Sequence, residues 1–282
     1  MKRRFFIVFL LLGACTGSQK GGQGDELRII TAGGTITEII YELGFGDQVV
    51  ATDITSTYPA SMQELPSIGY RNQIKAEGIL ALGPDLILAE EGYLSDDVVN
   101  QLKGTGTEVQ FFKKPVKTEE TLELIENLAD FLEVREKGES LKKSLVRDLE
   151  ELSAATAQKI DKKPTVAFVM ARGEEMVFVA GEDTFAESII TMAGAESVGK
   201  GFKDFIPLTP ESLVSMNPDY LLFFESGIKS MGGVGGLEKI RGIQQTTAYQ
   251  KNQILSFDGL YLSGFGPRIG KAALELSKEV GY

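Results

Sequence analysis

The chain has 282 residues, 43% of them hydrophobic, enough for one large domain or two of ordinary size around a substantial core. Lys plus Arg total 29 against 40 Asp plus Glu, and the resulting net charge of −11 repels phosphate backbones and argues against nucleic-acid binding. A single Cys excludes an intramolecular disulfide, and the absence of His removes the usual general base, the common catalytic triad and every imidazole metal site.

Residues 1–14 read as a signal peptide. Lys2, Arg3 and Arg4 precede the apolar run Phe5 to Leu12, which is far shorter than the roughly 20 residues a membrane-spanning helix needs. The run ends at Leu12-Gly13-Ala14-Cys15, which resembles a bacterial lipobox in which Cys15 carries the lipid. An ordinary signal peptide with a chance Cys is the alternative. Residues 15–25 are a polar linker, so the expectation is an exported domain held at a membrane by its N-terminal lipid, facing the periplasm or the cell exterior.

From residue 26 the pattern is α/β. Leu27 to Thr31 reads as a buried strand that stops at Gly33-Gly34, where a helix begins and runs to about Leu43. Free N–H groups at that helix start are able to hold an anion, and a plain strand-to-helix turn explains the glycines equally well. Val49–Thr52, Leu86–Ala89 and Val109–Phe112 are further strands, with helical patterns between them. Residues 26–116 form a first lobe. Residues 117–163 are dense in Glu, Lys and Leu at helical spacing and predict one long linking helix, with a break near Gly138 as a variant. Pro164 ends it, and Thr165 to Val169 opens a second lobe over 164–282. The second lobe repeats the first. Glu77, Pro84 and Asp85 match Glu211, Pro218 and Asp219 at a constant separation of 134 residues. The expected fold is two α/β lobes with central, mostly parallel sheets, joined by a long helix, with a ligand cleft between them.

Several stretches occur in an order that resembles a known family: Ile30 to Glu38, Thr52-Asp53-Ile54-Thr55-Ser56-Thr57-Tyr58-Pro59, Ile68-Gly69-Tyr70, Gly181 to Ala186, Gly232 to Leu237 and Gly264-Phe-Gly-Pro-Arg268. The family is the helical-backbone class of ABC-transporter substrate-binding proteins, within it the haem-binding proteins, whose relatives carry vitamin B12 and siderophores. The resemblance implies a carrier and not an enzyme, acting as a monomer with haem as cargo and an ABC permease and ATPase complex as partner. It places an axial tyrosinate at Tyr70, with Tyr58 as runner-up. A phenolate suits Fe(III) haem and needs a nearby cation to form at neutral pH. The family's basic residue two positions on is Asn72 here, with Arg71 preceding it, and in an extended segment adjacent side chains diverge. Tyr70 as an ordinary half-buried loop tyrosine stays open.

Arg172 stands where some relatives use a second-lobe His, and with Arg71, Asn72, Lys229 and Met231 it is a candidate haem or propionate contact. A surface Arg at a hairpin turn is its plain alternative. The Gly-rich loop around 232–236 lacks the Gly-Lys-Ser/Thr of a phosphate loop. Glu77 and Glu211 are the implied permease-docking residues, although a carboxylate in a helix's first turn also has a purely local rationale. The other function classes are a corrinoid or ferric-siderophore carrier, and a carboxylate-based enzyme for which no paired spacing is found.

Overall fold

A computed structural model describes residues 27–157 and 162–282; the expected signal peptide, Cys15 and the anchor linker lie outside the described residues. The first lobe comprises β1 (Ile29–Ala32), α1 (Gly34–Ile40), β2 (Val49–Thr52), α2 (Ala76–Leu80), β3 (Leu86–Glu90), α3 (Asp96–Lys103) and β4 (Glu108–Phe112). Its sheet is wholly parallel, in the order β2-β1-β3-β4. Ile29, Leu86 and Leu88 face one apolar layer, and Ile30, Ile87 and Ala89 face another. Burial on both faces is why these strands read as unbroken apolar runs without polar alternation.

The linking segment is helical, as its Leu spacing implies, but it consists of α4 (Thr118–Phe131) and α5 (Arg135–Thr156). The interruption lies at 132–134 and not at Gly138, which sits inside α5. The Val134 N–H bonds to the Ala129 carbonyl and the Glu133 N–H to the Asp130 carbonyl, with Glu133 at φ 58. This is the Schellman ending, with Glu in the left-handed position that usually holds Gly. Gly138 has a packing role instead: a Cβ there would overlap that of Ala129, so its absence lets α5 approach α4.

The second lobe comprises β5 (Thr165–Ala171), β6 (Val177–Ala180), α6 (Phe185–Met192), β7 (Glu196–Ser197), β8 (Phe205–Pro207), α7 (Pro210–Met216), β9 (Tyr220–Phe224), α8 (Glu225–Ser230), α9 (Thr247–Gln250), β10 (Ile254–Phe257), α10 (Gly259–Ser263) and α11 (Ile269–Glu279). The sheet order is β10-β9-β5-β6-β8; β10, β9, β5 and the short β7 run parallel, while β6 and β8 are antiparallel additions.

The internal repeat has a physical basis. In the first lobe the Asp85 carboxylate accepts from the Arg28 N–H, and the Asp85 N–H donates to the Arg28 carbonyl. In the second, Asp219 accepts from the Thr165 N–H and hydroxyl, and its own N–H donates to the Thr165 carbonyl. Each Pro-Asp therefore fixes the start of one parallel strand against its neighbour, β3 on β1 and β9 on β5. One apolar layer runs from Ile29 and Leu88 through Leu128 and Leu145 to Phe168, Leu222 and Leu276, and so belongs to both lobes. Among the described residues no helix is long and apolar enough to cross a membrane.

Candidate functional site

In parallel sheets, ligands bind beyond the carboxyl ends of the strands. Here those two edges face each other. Gly34, just past β1, has no room for a Cβ between the Thr55 carbonyl and Leu260 of α10, the helix that follows β10. The Thr35 hydroxyl donates to the Gly264 carbonyl at 2.6 Å, and the Thr121 hydroxyl to the Phe265 carbonyl at 2.7 Å. Arg268 donates to both oxygens of the buried Glu38 carboxylate at 2.9 Å each, which joins the lobes through a fork-to-fork pair. Burial pushes the Glu38 carboxyl upward against the pull of Arg268; burial likewise opposes the charge on Arg268, but the Glu38 bonds outweigh it and hold that guanidinium above its usual value.

On the first lobe's wall, residues 66–69 run alongside the end of β2, with Ile68 bonded to the Thr52 carbonyl and the Ile54 N–H donating to the Gly69 carbonyl. Tyr70 follows, half-buried beyond the sheet edge, with its ring edge-on to Tyr93 at 6.3 Å and 88°. Among the described residues the Tyr70 hydroxyl has no hydrogen-bond partner. The segment is not extended at this point. Arg71 adopts φ 39 and starts a tight turn, which folds its guanidinium back to 5.7 Å from the Tyr70 ring centre and 5.2 Å from that of Tyr93. The expected divergence of the two side chains is thereby corrected: the positive φ brings the cation next to the phenol. Asn72 is exposed in the same turn. Tyr58 lies elsewhere on this wall, its face covered by the Arg268 guanidinium at 3.5 Å, with Tyr261 on the same cation at 5.0 Å.

On the second lobe, Arg172 is exposed directly after β5, and Lys229 is exposed in the last turn of α8, the helix that follows β9. The hairpin after β5 is tied to α8 by the Gly173 N–H on the Ser230 hydroxyl. Met231 does not belong with them: at 2% exposure it is part of the second lobe's own core, and the Gly-rich turn folds over it, with Gly236 against its carbonyl. A haem contact from Met231 is corrected on that ground. Glu77 and Glu211 are both exposed, each in the first turn of its helix, far along the chain from each other but in matching places. The Thr209/Ser212 capping box fixes the helix start at Glu211.

The Gly33-Gly34 turn is not an anion cradle. The Gly33 N–H is taken by Asp53 at 2.9 Å and that of Gly34 by the Thr55 hydroxyl, while the Glu90 side chain fills the space at Gly33. Gly33 has φ 120, open only to glycine.

Three further residues belong to this site, and only the first of them, Asp53, leaves a local trace in the sequence. Asp53 is buried and accepts from the Gly33 N–H, the Thr55 N–H and hydroxyl, the Ser56 hydroxyl and the Tyr93 phenol. Its Asp-x-Thr-Ser pattern is the trace such a turn leaves in sequence. Tyr93 is nearly fully buried; burial, followed by the Asp53 charge and hydrogen bond, holds its phenol well above the usual value, so it stays protonated. Glu90 ends β3; burial raises its carboxyl and Asp53 adds to this, against Lys114 and Arg71.

A family model described as periplasmic binding protein matches residues 29–259. Among solved structures, the chain is similar to the periplasmic heme-binding protein RhuT from Roseiflexus sp. RS-1, with 34% identity, a TM-score of 0.86, and 90% of this chain and 98% of that one covered. It is 26% identical over 260 residues to the ABC transporter substrate-binding lipoprotein YvrC of Bacillus subtilis strain 168, covering 91% of this chain and 80% of that protein. It is also 24% identical over 256 residues to the vitamin B12-binding protein of Photorhabdus laumondii, covering 90% and 88%. The two facing sheet edges, the helical link and the family match over most of its length agree: the chain belongs to the periplasmic binding protein family.

Proposed function

We propose that this protein is a carrier that captures haem between its lobes, with the Tyr70 phenolate on the iron, and hands it to an ABC permease and its ATPase. The observation that carries this reading is the Tyr70 phenol: half-buried at the cleft, without a protein partner for its hydroxyl, and with the Arg71 guanidinium folded beside it. A hard anionic oxygen next to a cation suits ferric haem. Supporting groups stand on both walls. Ile54 just past β2 on the first lobe, and Met176 just before β6 and Val234 in the Gly-rich loop on the second, are 59%, 51% and 50% exposed, apolar surface for a flat macrocycle. Arg172 and Lys229 supply cations for the propionates. Glu77 and Glu211, one per lobe and exposed, serve as the permease contacts. Cys15 is the lipid site, a reading that the similarity to a lipoprotein supports, and the carrier works outside the cytoplasm as a membrane-tethered monomer.

The similarity to a vitamin B12-binding protein favours a second reading, a corrinoid in the same cleft. Titrating purified protein with hemin, cyanocobalamin and a ferric siderophore separates the cargoes. The haem reading expects a saturable Soret change that an excess of the other two leaves in place. No saturable change with hemin, together with binding of cobalamin or siderophore, would move the assignment to that cargo.

A further inference from the structure

Tyr93 is 40 residues from Asp53 in sequence, yet its hydroxyl donates to the Asp53 carboxylate and lies 3.3 Å from the Thr55 hydroxyl. Asp53 is itself immobilised by four further donors from Gly33, Thr55 and Ser56. The Tyr93 ring is thus fixed at its polar end by a rigid hub and at its apolar end by the core cluster of the first lobe, to which Ile87, Ala89 and Leu94 also belong. Against this fixed ring stand two groups that are otherwise free to move. Tyr70 meets it edge-on, a favoured geometry for an aromatic pair. The Arg71 guanidinium lies 5.2 Å from its centre, within cation–π range, and this exposed side chain has no carboxylate partner among the described residues.

We propose that Tyr93 is the positioning residue beside this phenol: its ring, held by the core of the first lobe, sets the direction of the Tyr70 phenol and holds the Arg71 cation beside it. The inference rests on the haem reading for its purpose but not for its geometry. It also accounts for this chain's departure from a basic residue at position 72. A cation at 71 serves only because its backbone turns back and a second ring receives it. Tyr93 touches no ligand in this role and acts through Tyr70 and Arg71.

The test uses the full mature chain with Tyr93→Phe and Tyr93→Leu, and reads both the apo and the hemin-loaded protein. In the apo protein, nuclear Overhauser contacts between the Tyr70 ring and the Arg71 side chain are expected in the parent, retained in Tyr93→Phe and averaged away in Tyr93→Leu. In the hemin complex, Tyr93→Leu is expected to release hemin about tenfold faster, as the loss of one aromatic pair and one cation–π contact implies. Its electron paramagnetic resonance signal is expected to broaden into more than one ferric species, and Tyr93→Phe, which keeps the ring, is expected to restore a single species. A residue that only stabilises the lobe would lower the melting temperature without changing that signal. Parent-like contacts, release rate and signal in Tyr93→Leu would overturn the proposal. If the parent binds no hemin, the haem reading falls and the apo contacts alone decide the positioning role. Asp53 keeps its four donors from Gly33, Thr55 and Ser56 in either variant, and the melting temperature of each variant shows whether its fold is retained.

Discussion

Tyr58 and Tyr70 both lie in the first lobe beyond the end of β2, and what touches their rings separates them. Tyr58 lies face-on under a guanidinium that Glu38 holds by two bonds, so its ring is part of the junction between the lobes. Tyr70 meets only an edge-on ring and a surface cation. Tyr58→Phe keeps the stack, so it should leave hemin binding unchanged and stability within about 0.5 kcal/mol of the parent. Tyr58→Ala should cost about 1–2 kcal/mol in urea denaturation. A Tyr58→Phe protein with an altered hemin spectrum would move the ligand away from Tyr70. At this scale the sequence is a partial guide. Tyr70 stands out through the resemblance of its segment to a family pattern, whereas Asp53 and Tyr93 meet only because β2 and β3 end on the same sheet edge. No local spacing encodes that convergence.

The first lobe's strands and the strand that opens the second lie where the apolar runs put them, because burial on both sheet faces leaves a simple signature: β2 is Val49–Thr52, as the run itself reads, whereas the sequence does not place β6, β7, β8 and β10. The linking helix is harder. A break is legible when it carries Gly or Pro, and here the left-handed residue is Glu133. Because a side chain costs about 1 kcal/mol in that conformation, Glu133→Gly should stabilise the protein by about 0.5–1 kcal/mol in urea denaturation. A destabilised variant would contradict the assigned helix ending. The repeat-related Asp219 gives a pH test. Burial works to raise its carboxyl, but the Thr165 N–H and hydroxyl, with nearby Lys162 and Lys251, bring it below the ordinary value. A depressed carboxylate stabilises the folded state above its unfolded value, about 3.9 for Asp, and that contribution is lost as pH falls through the lower folded value. Asp219→Asn should therefore be less stable by about 1 kcal/mol at pH 7, allowing for solvent screening, and the deficit should shrink as pH falls below about 4. A deficit that does not change with pH would assign the loss to packing.

For the whole molecule, two lobes and a helical link are legible because the repeat and the change of composition at 117 mark them. Their joint is not. Glu38 and Arg268 are 230 residues apart, and nothing local distinguishes either from a surface charge. The joint and the shared apolar layer predict that the lobes unfold together in one calorimetric transition. Glu38→Gln leaves a partly buried guanidinium without its counter-charge and should lower that single transition by about 3 kcal/mol of stability. Two resolved transitions in the parent would show that the lobes are energetically independent.

The claim that Tyr70 supplies the iron ligand is reached most directly by the visible spectrum of hemin-loaded Tyr70→Phe beside that of the parent. The parent should show a saturable ferric phenolate spectrum, and Tyr70→Phe, folded and equally stable, should lose it. An identical spectrum in the two proteins would contradict the claim.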